Sequence, residues 1–213
     1  MNGKTWPPAF TKYPSIENHI NASRIAAFRC NGKTDICDWI VCEKIHGANL
    51  SFTTNGTNLL CSRRTGLLQP EEKFYNFQAI QEKYCDSVMK CWELARNFEM
   101  IESDDTITIY GELFGGIYRH SSVSYPVERV FPVQKEVQYC PHTDFLAFDL
   151  RCGADDYVDV EVMWSMFDEA GVPYIRPLKT GCSFKEAIAF GPKFHTTMPA
   201  LMSNVTESHQ NQD

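Results

Sequence analysis

Positive charge is scarce in this chain: 20 lysines and arginines stand against 27 aspartates and glutamates, a formal net charge of −7. That balance excludes a generally basic, nucleic-acid-coating surface and leaves room only for a local basic groove. Long apolar runs are also missing. None approaches the ~20 residues needed to span a bilayer, so no membrane partner is expected. Residues Met1 to Phe10 are polar and contain proline, without a basic-then-apolar signal pattern or an Arg-rich transit pattern. An intracellular protein is expected, in cytoplasm or nucleus. The nine cysteines are scattered and form no Cys-x-x-Cys pair, which removes the usual structural-zinc spacing and fits reduced thiols acting as small apolar residues. A Walker-type phosphate loop, a Gly-x-Ser-x-Gly elbow and a His-Glu-x-x-His helix are all absent.

The 213 residues, 43% hydrophobic and 22% charged, suit one large domain with a sizeable core. Helical spacing runs from Ser15, a plausible N-cap, to Ala27. Trp39 to Lys44 reads as a strand. Asn49 to Thr54 and Asn58 to Arg63 read as a hairpin around Asn55-Gly56. Pro70 opens a helical pattern that reaches Phe98. Thr106 to Leu113 and Phe145 to Leu150 read as strands, with a loop-like Ile117 to Pro141 between them. Val158 to Ala170 passes from strand into helix, closed by Gly171 and Pro173. Ser183 to Phe190 suits a short helix, and Glu207 to Asp213 reads as a polar tail. Interspersed strands and helices with hairpin signals predict an antiparallel α+β domain rather than a doubly wound sheet.

Five segments carry residues suited to chemistry. Glu43-Lys44-Ile45-His46-Gly47-Ala48-Asn49 puts a lysine at the end of the apolar run Trp39-Ile40-Val41-Cys42, with a glycine three residues on. A lysine so placed can act as an amine nucleophile rather than a solvated cation. Arg63 and Arg64, in Ser62-Arg63-Arg64-Thr65-Gly66, offer guanidinium forks for phosphate or ribose oxygens, or simply a solvated strand end. Glu112, in Tyr110-Gly111-Glu112-Leu113-Phe114-Gly115-Gly116, is a carboxylate among apolar residues and glycines. It can take ribose hydroxyls or a metal, or pair with an arginine. Phe145 and Phe148 fall on opposite faces of a strand, one available to stack on a purine while the other packs; read alone, both fit a core. Phe10 to His19 sets polar and aromatic groups, Tyr13 among them, ahead of the first helix.

In this order and spacing, the residues resemble the RNA ligase 2 family of covalent nucleotidyltransferases, from about residue 10 to residue 206. Lys44-Ile45-His46-Gly47 resembles motif I. His46 stands where DNA ligases and capping enzymes usually carry aspartate, which separates the chain from those alternatives. Phe10 to Asn21 resembles the family's N-terminal signature, Arg63 to Gly66 the motif after the first hairpin, and Gly111 to Gly115 motif III. Phe148-Asp149 resembles motif IIIa, and Gln134-Lys135 a family segment upstream of it. The resemblance implies an antiparallel-sheet adenylyltransferase domain of the ATP-dependent ligase type over residues 1–206. It implies ATP with Mg²⁺ or Mn²⁺, and RNA with 5′-phosphate and 3′-hydroxyl ends. Lys44 would form the lysyl-AMP intermediate. Glu43 and Ile45 would meet adenine, and His46 belongs to the same motif. Asn49, Arg64 and Glu112 would hold ribose or phosphate, with Glu112 a metal ligand, and Phe148 would stack on the base. Tyr13, Arg63, Gln134 and Asp149 are RNA-contact candidates. A free lysine titrates near 10.4, so an amine reactive at neutral pH needs roughly 4 kcal/mol of help from burial, nearby positive charge or metal.

The sequence departs from the family late. Met198-Pro199-Ala200 and Asn204-Val205-Thr206-Glu207 resemble the run-in to motif IV, but no Glu-Gly dipeptide and no Lys-x-Lys occurs. The expectation is a domain incomplete at its C-terminus, with weak or absent autonomous activity. The alternative is a catalytically inactive ligase module that binds ATP or RNA ends.

Overall fold

A computed structural model describes residues 5–16, 21–32, 34, 38–118, 131–153, 156–191, 193–194, 196 and 198. In chain order the elements are α1 (Ala22–Cys30), β1 (Trp39–Cys42), β2 (Ala48–Thr54), β3 (Leu59–Arg63), β4 (Gly66–Leu67), α2 (Phe77–Asn97), β5 (Ile107–Gly115), β6 (Thr143–Cys152), β7 (Asp156–Tyr157), α3 (Val160–Ala170), β8 (Pro177–Cys182) and α4 (Phe184–Ile188). The protein is α+β with antiparallel sheets, as the sequence predicts. The chain forms two compact units. The larger is built mainly from Ile45–Tyr174 with the N-terminal stretch up to Tyr13, the smaller from Pro14–Lys44 and Ile175–Leu201.

The larger unit holds a six-stranded sheet in the order β4-β3-β2-β5-β6-β7. Its first hairpin turns at Asn55-Gly56. Asn55 Oδ1 accepts from the Thr57 and Asn58 amides, and Gly56 supplies a φ of +81°. Alternation then sorts the side chains. Leu50 and Phe52 of β2 and Ile107, Ile109 and Leu113 of β5 join the buried core, together with α2 residues Ile80, Tyr84, Val88 and Cys91. The three- and four-residue spacing of the α2 positions gives one apolar stripe, and each full burial of a large apolar side chain contributes about 1.5–3 kcal/mol. Met163, Met166, Phe167 and Ala170 of α3 repeat the pattern, and Gly171 ends that helix in the left-handed conformation.

Strand β6 changes face partway along. Phe145 and Ala147 lie opposite Leu113 and Gly111, but Asp149 lies opposite Tyr110, so β6 carries one extra residue against the Tyr110–Gly111 step of β5. The extra residue is Phe148. Beyond it Leu150 and Cys152 face the core, and Asp149 and Arg151 share the opposite face with Tyr110 and Thr108. A bulge re-aims side chains in this way.

In the smaller unit β1 pairs antiparallel with β8. Trp39 packs on Phe184 at a ring-centroid distance of 5.0 Å, and its carbonyl accepts from Cys182 Sγ. A Ser183–Glu186 capping box starts α4.

Two sequence expectations need correction. The first helix starts at Ala22, not Ser15: the Asn21 side chain caps it by accepting from the Arg24 amide, whereas Ser15 and Ile16 are not helical. The long helix starts at Phe77, not Pro70. Tyr75 and Asn76 both take positive φ (47° and 58°), which a helix cannot accommodate. The proposed tail, Glu207 to Asp213, lies outside the described residues.

Candidate functional site

Away from α2, the sheet of the larger unit presents a polar face. Asn49, Ser51 and Thr53 of β2 lie opposite Glu112, Tyr110 and Thr108 of β5. These residues alternate with the core-facing set, so they share this second face. Asn49 Nδ2 donates to the Gly111 carbonyl at 3.4 Å, fixing the amide beside Glu112. Gly111 is required by packing: a Cβ there would lie 2.2 Å from the Phe145 ring and 2.4 Å from the Leu146 carbonyl oxygen.

The two phenylalanines of β6 divide as alternation predicts. Phe145 is 1% exposed and packs edge-on against Phe52 at 4.9 Å. Phe148 is half-buried and meets Tyr13 at 4.9 Å, and Tyr13 in turn meets Tyr110 at 4.9 Å. Phe148 therefore belongs to the polar face. The Tyr13 hydroxyl donates to Asp149 Oδ2 at 2.8 Å. Burial, with the neighbouring Asp149 charge, pushes the Tyr13 phenol well above its usual range. Burial also raises the Asp149 carboxyl, although the Tyr13 and Leu150 hydrogen bonds work against it. The N-terminal stretch runs along the same face, where the Tyr110 hydroxyl donates to the Thr11 carbonyl at 3.4 Å.

The lysine segment leads into β2. Glu43 and Ile45 are buried, and Lys44 and His46 between and after them are exposed. The apolar lead-in does not enclose Lys44 itself, which is a correction to the sequence picture. Glu43 Oε1 accepts from Thr196 Oγ1 at 2.6 Å, an interaction of the smaller unit. The division between units falls between Lys44 and Ile45. After it, Gly47 runs so close to β5 that a Cβ would sit 2.1 Å from the Leu113 carbonyl oxygen. Its own carbonyl accepts from Gln134 Nε2 at 2.9 Å, and the His46 amide donates to the Tyr139 hydroxyl at 3.0 Å.

The arginines take different roles. Arg63 pairs with Glu72 at 2.8 Å and its Nε donates to Thr65 Oγ1, while Arg64 is exposed in the β3–β4 turn. A groove beside that region is lined by Phe74, Tyr75, Lys73, Phe131, Gln134 and Lys135, among others. Among the described residues no cluster of three or more His, Cys, Asp or Glu side chains could hold a metal ion.

Chemically, the polar face combines an amide, a carboxylate and a ring beside a half-buried carboxylate–phenol pair, a set suited to a nucleoside. Sequence reasoning missed Tyr110 and Tyr139. Tyr110 sits inside the glutamate segment, where alternation with Glu112 places it on the same face. Tyr139 lies in irregular chain, and no periodicity points to it.

A family model described as RNA ligase matches residues 38–209. The mitochondrial RNA-editing ligase 2 of Trypanosoma brucei brucei is 28% identical over 219 residues, covering 91% of this chain and 50% of that protein. RNA-editing ligase 1 of the same organism is 27% identical over 217 residues, with 89% and 46% covered. The chain spans about half the length of these curated relatives. Among solved structures, a mutant Naegleria gruberi RNA ligase with ATP and Mn superposes with a TM-score of 0.53 at 13% identity, covering 83% of this chain and 45% of that one. Another mutant of that ligase, with AMP and Mn, gives 0.51 at 13% identity over 80% and 43%. Likeness at such identity shows the fold.

Proposed function

The chain belongs to the RNA ligase family, and from that premise we propose that it is an ATP-dependent adenylyltransferase that forms a lysyl-AMP intermediate at Lys44 for RNA end joining. The observation that carries this reading is the placement of Asn49 opposite Glu112 on the polar face that also takes the bulged Phe148. Phe148 offers its ring to the base, and Asn49, Glu112 and Arg64 offer partners for ribose and phosphate oxygens. Glu43, Ile45 and His46 flank the nucleophile, with backbone atoms for the adenine edge.

In the first step Lys44 Nζ attacks the α-phosphorus of ATP. A P–N bond forms, the P–O bond to the β-phosphate breaks, pyrophosphate leaves, and Nζ gives its proton to solvent. AMP then passes to a 5′-phosphate on RNA, and a 3′-hydroxyl displaces it to close the strand. Mg²⁺ or Mn²⁺ would neutralise phosphate charge. One carboxylate, Glu112, fits a hard cation held mainly by phosphate oxygens. The rings of Phe74, Tyr75 and Phe131 in that groove offer stacking surfaces for single-stranded RNA, while its charges, Glu71, Glu72 and Glu136 against Lys73 and Lys135, add no net attraction for phosphate.

The test is intact mass after incubation with ATP and Mg²⁺, compared between the chain and Lys44→Ala. An AMP adduct confined to the chain bearing Lys44 is expected. ATP-dependent thermal stabilisation without adduct would favour a binding module instead.

A further inference from the structure

The turn that follows Lys44 is held at three points within the larger unit. Gly47 lies against the Leu113 carbonyl, in a space that admits no Cβ. Gln134 Nε2 donates to the Gly47 carbonyl at 2.9 Å, and the Tyr139 hydroxyl accepts from the His46 amide at 3.0 Å. The last two partners come from one irregular segment, anchored at both ends where β5 finishes. The Val133 amide donates to the Gly115 carbonyl at 3.0 Å, and the Gly116 amide donates to the His142 carbonyl at 2.9 Å. Between those anchors the Tyr139 ring packs edge-on against Phe114, with centroids 5.7 Å apart. Phe114 is fully buried, so the phenol stands on a rigid base. Tyr139 is thus 93 residues from His46 in sequence yet bonded to its backbone.

We propose that Tyr139 is a positioning residue for adenylylation, with Gln134 as its companion: together they clamp the His46–Gly47 backbone and so fix the anchor to which Lys44 is tethered two residues upstream. The inference rests on Lys44 being the nucleophile. Neither residue touches ATP in this scheme. The amine of a long, exposed lysine sweeps a wide volume, and each nearby fixed peptide unit narrows it. Loss of such an anchor lowers the fraction of time the amine spends in line with the α-phosphorus, which lowers the rate of the step rather than the affinity for ATP.

The experiment is single-turnover lysyl-AMP formation by the full chain over a series of ATP concentrations, in the wild type, Tyr139→Phe and Gln134→Met. Tyr139→Phe keeps the ring on Phe114 and removes the hydroxyl that accepts from the His46 amide. The saturating rate is expected to fall about tenfold, with half-saturating ATP changed less than about twofold. Gln134→Met should act in the same direction. The double variant should lose less than the product of the two effects, because both residues hold the same turn. Hydrogen exchange at the His46 amide should accelerate in Tyr139→Phe. A wild-type rate in Tyr139→Phe, or a loss confined to ATP half-saturation, overturns the clamp while leaving Lys44 as nucleophile. Absence of any Lys44 adduct on the wild-type chain overturns the adenylylation reading and the clamp with it.

Discussion

The Tyr13 hydroxyl donates to the Asp149 carboxylate at 2.8 Å, joining residues 136 positions apart. The bond secures the N-terminal stretch to the sheet face beside Phe148, and it gives a partly buried carboxylate one of its donors. Both residues were candidates for RNA contact. Their polar atoms are turned toward each other.

Tyr13→Phe removes that donor while keeping the ring. The loss is expected to be about 1–2 kcal/mol of stability at neutral pH, the cost of leaving a half-buried charged acceptor short of a partner. The sign with pH follows from the linkage. The bond favours the ionised carboxyl, so its removal raises the Asp149 pKa, already raised by burial, still further. The penalty is full where Asp149 is ionised and shrinks on acidification as it takes up a proton. Urea denaturation of both proteins at pH 7 and at lower pH checks this; a penalty that is constant with pH would break the link to Asp149.

The Asp144 carboxyl is shifted the other way, downward. Burial works against its charge, but hydrogen bonds from His142, Lys83 and Tyr84 outweigh that and hold the carboxyl at about 2. The Tyr84 hydroxyl donates at 2.6 Å and Lys83 Nζ pairs at 2.8 Å, tying α2 to the start of β6. A depressed carboxyl contributes stability above its unfolded value near 3.9, and that contribution is lost as pH falls through about 2. Asp144→Asn should cost roughly 2 kcal/mol at pH 6 by the same linkage. The difference in melting temperature between the two proteins should close between about pH 4 and pH 2. A difference that persists unchanged at pH 2 would show that the carboxylate charge is not what holds this junction.

Gly47→Ala tests the closeness of the lysine turn to β5. A Cβ placed 2.1 Å from the Leu113 carbonyl oxygen and 3.0 Å from Glu112 Cγ must displace backbone, not a flexible side-chain end. An overpacking cost of about 1–3 kcal/mol is expected. With it should come a fall of roughly a hundredfold in adenylylation, as the turn shifts by an ångström or so. Differential scanning fluorimetry and adduct formation read the two effects separately. Near-wild-type adenylylation would mean that the turn tolerates displacement.

Local pattern carried much of this fold. Alternation in Asn49–Thr54 and the Asn55-Gly56 turn are sufficient to define the first hairpin, and the apolar spacing along α2 defines the helix that covers it. Alternation also places Asn49 on one face, and Phe145 and Phe148 on opposite faces. What the sequence hides is non-local or positional. The bulge at Phe148 follows from the β5–β6 register, and it alone brings Asp149 onto the face with Phe148 rather than with Phe145. The clamp by Tyr139 depends on irregular chain meeting a turn 93 residues away, for which no spacing rule exists. The early helix boundary failed because Asn21 supplies the cap that Ser15 was expected to give.

Phe145 and Phe148 provide the last prediction, because one short strand segment gives them opposite fates. Phe145 fills the core between Phe52 and Tyr84, and Phe145→Ala should cost about 3–5 kcal/mol, the usual range for a large core truncation. Phe148 is half-buried at the edge of Tyr13 on the polar face, so Phe148→Ala leaves the α2-side core intact and should cost far less. Its effect should fall on nucleotide instead. Base–aromatic stacking contributes about 1–3 kcal/mol, so half-saturating ATP should rise roughly fivefold to 150-fold. Phe148→Trp should retain most of the affinity, since it keeps an aromatic face. Melting curves with and without ATP measure both quantities on the same samples. The reading predicts that ATP raises the melting temperature of the wild type and of Phe148→Trp, and leaves Phe148→Ala nearly unshifted. Equal ATP shifts in the wild type and Phe148→Ala would remove Phe148 from the base-binding face and leave it a packing residue under Tyr13.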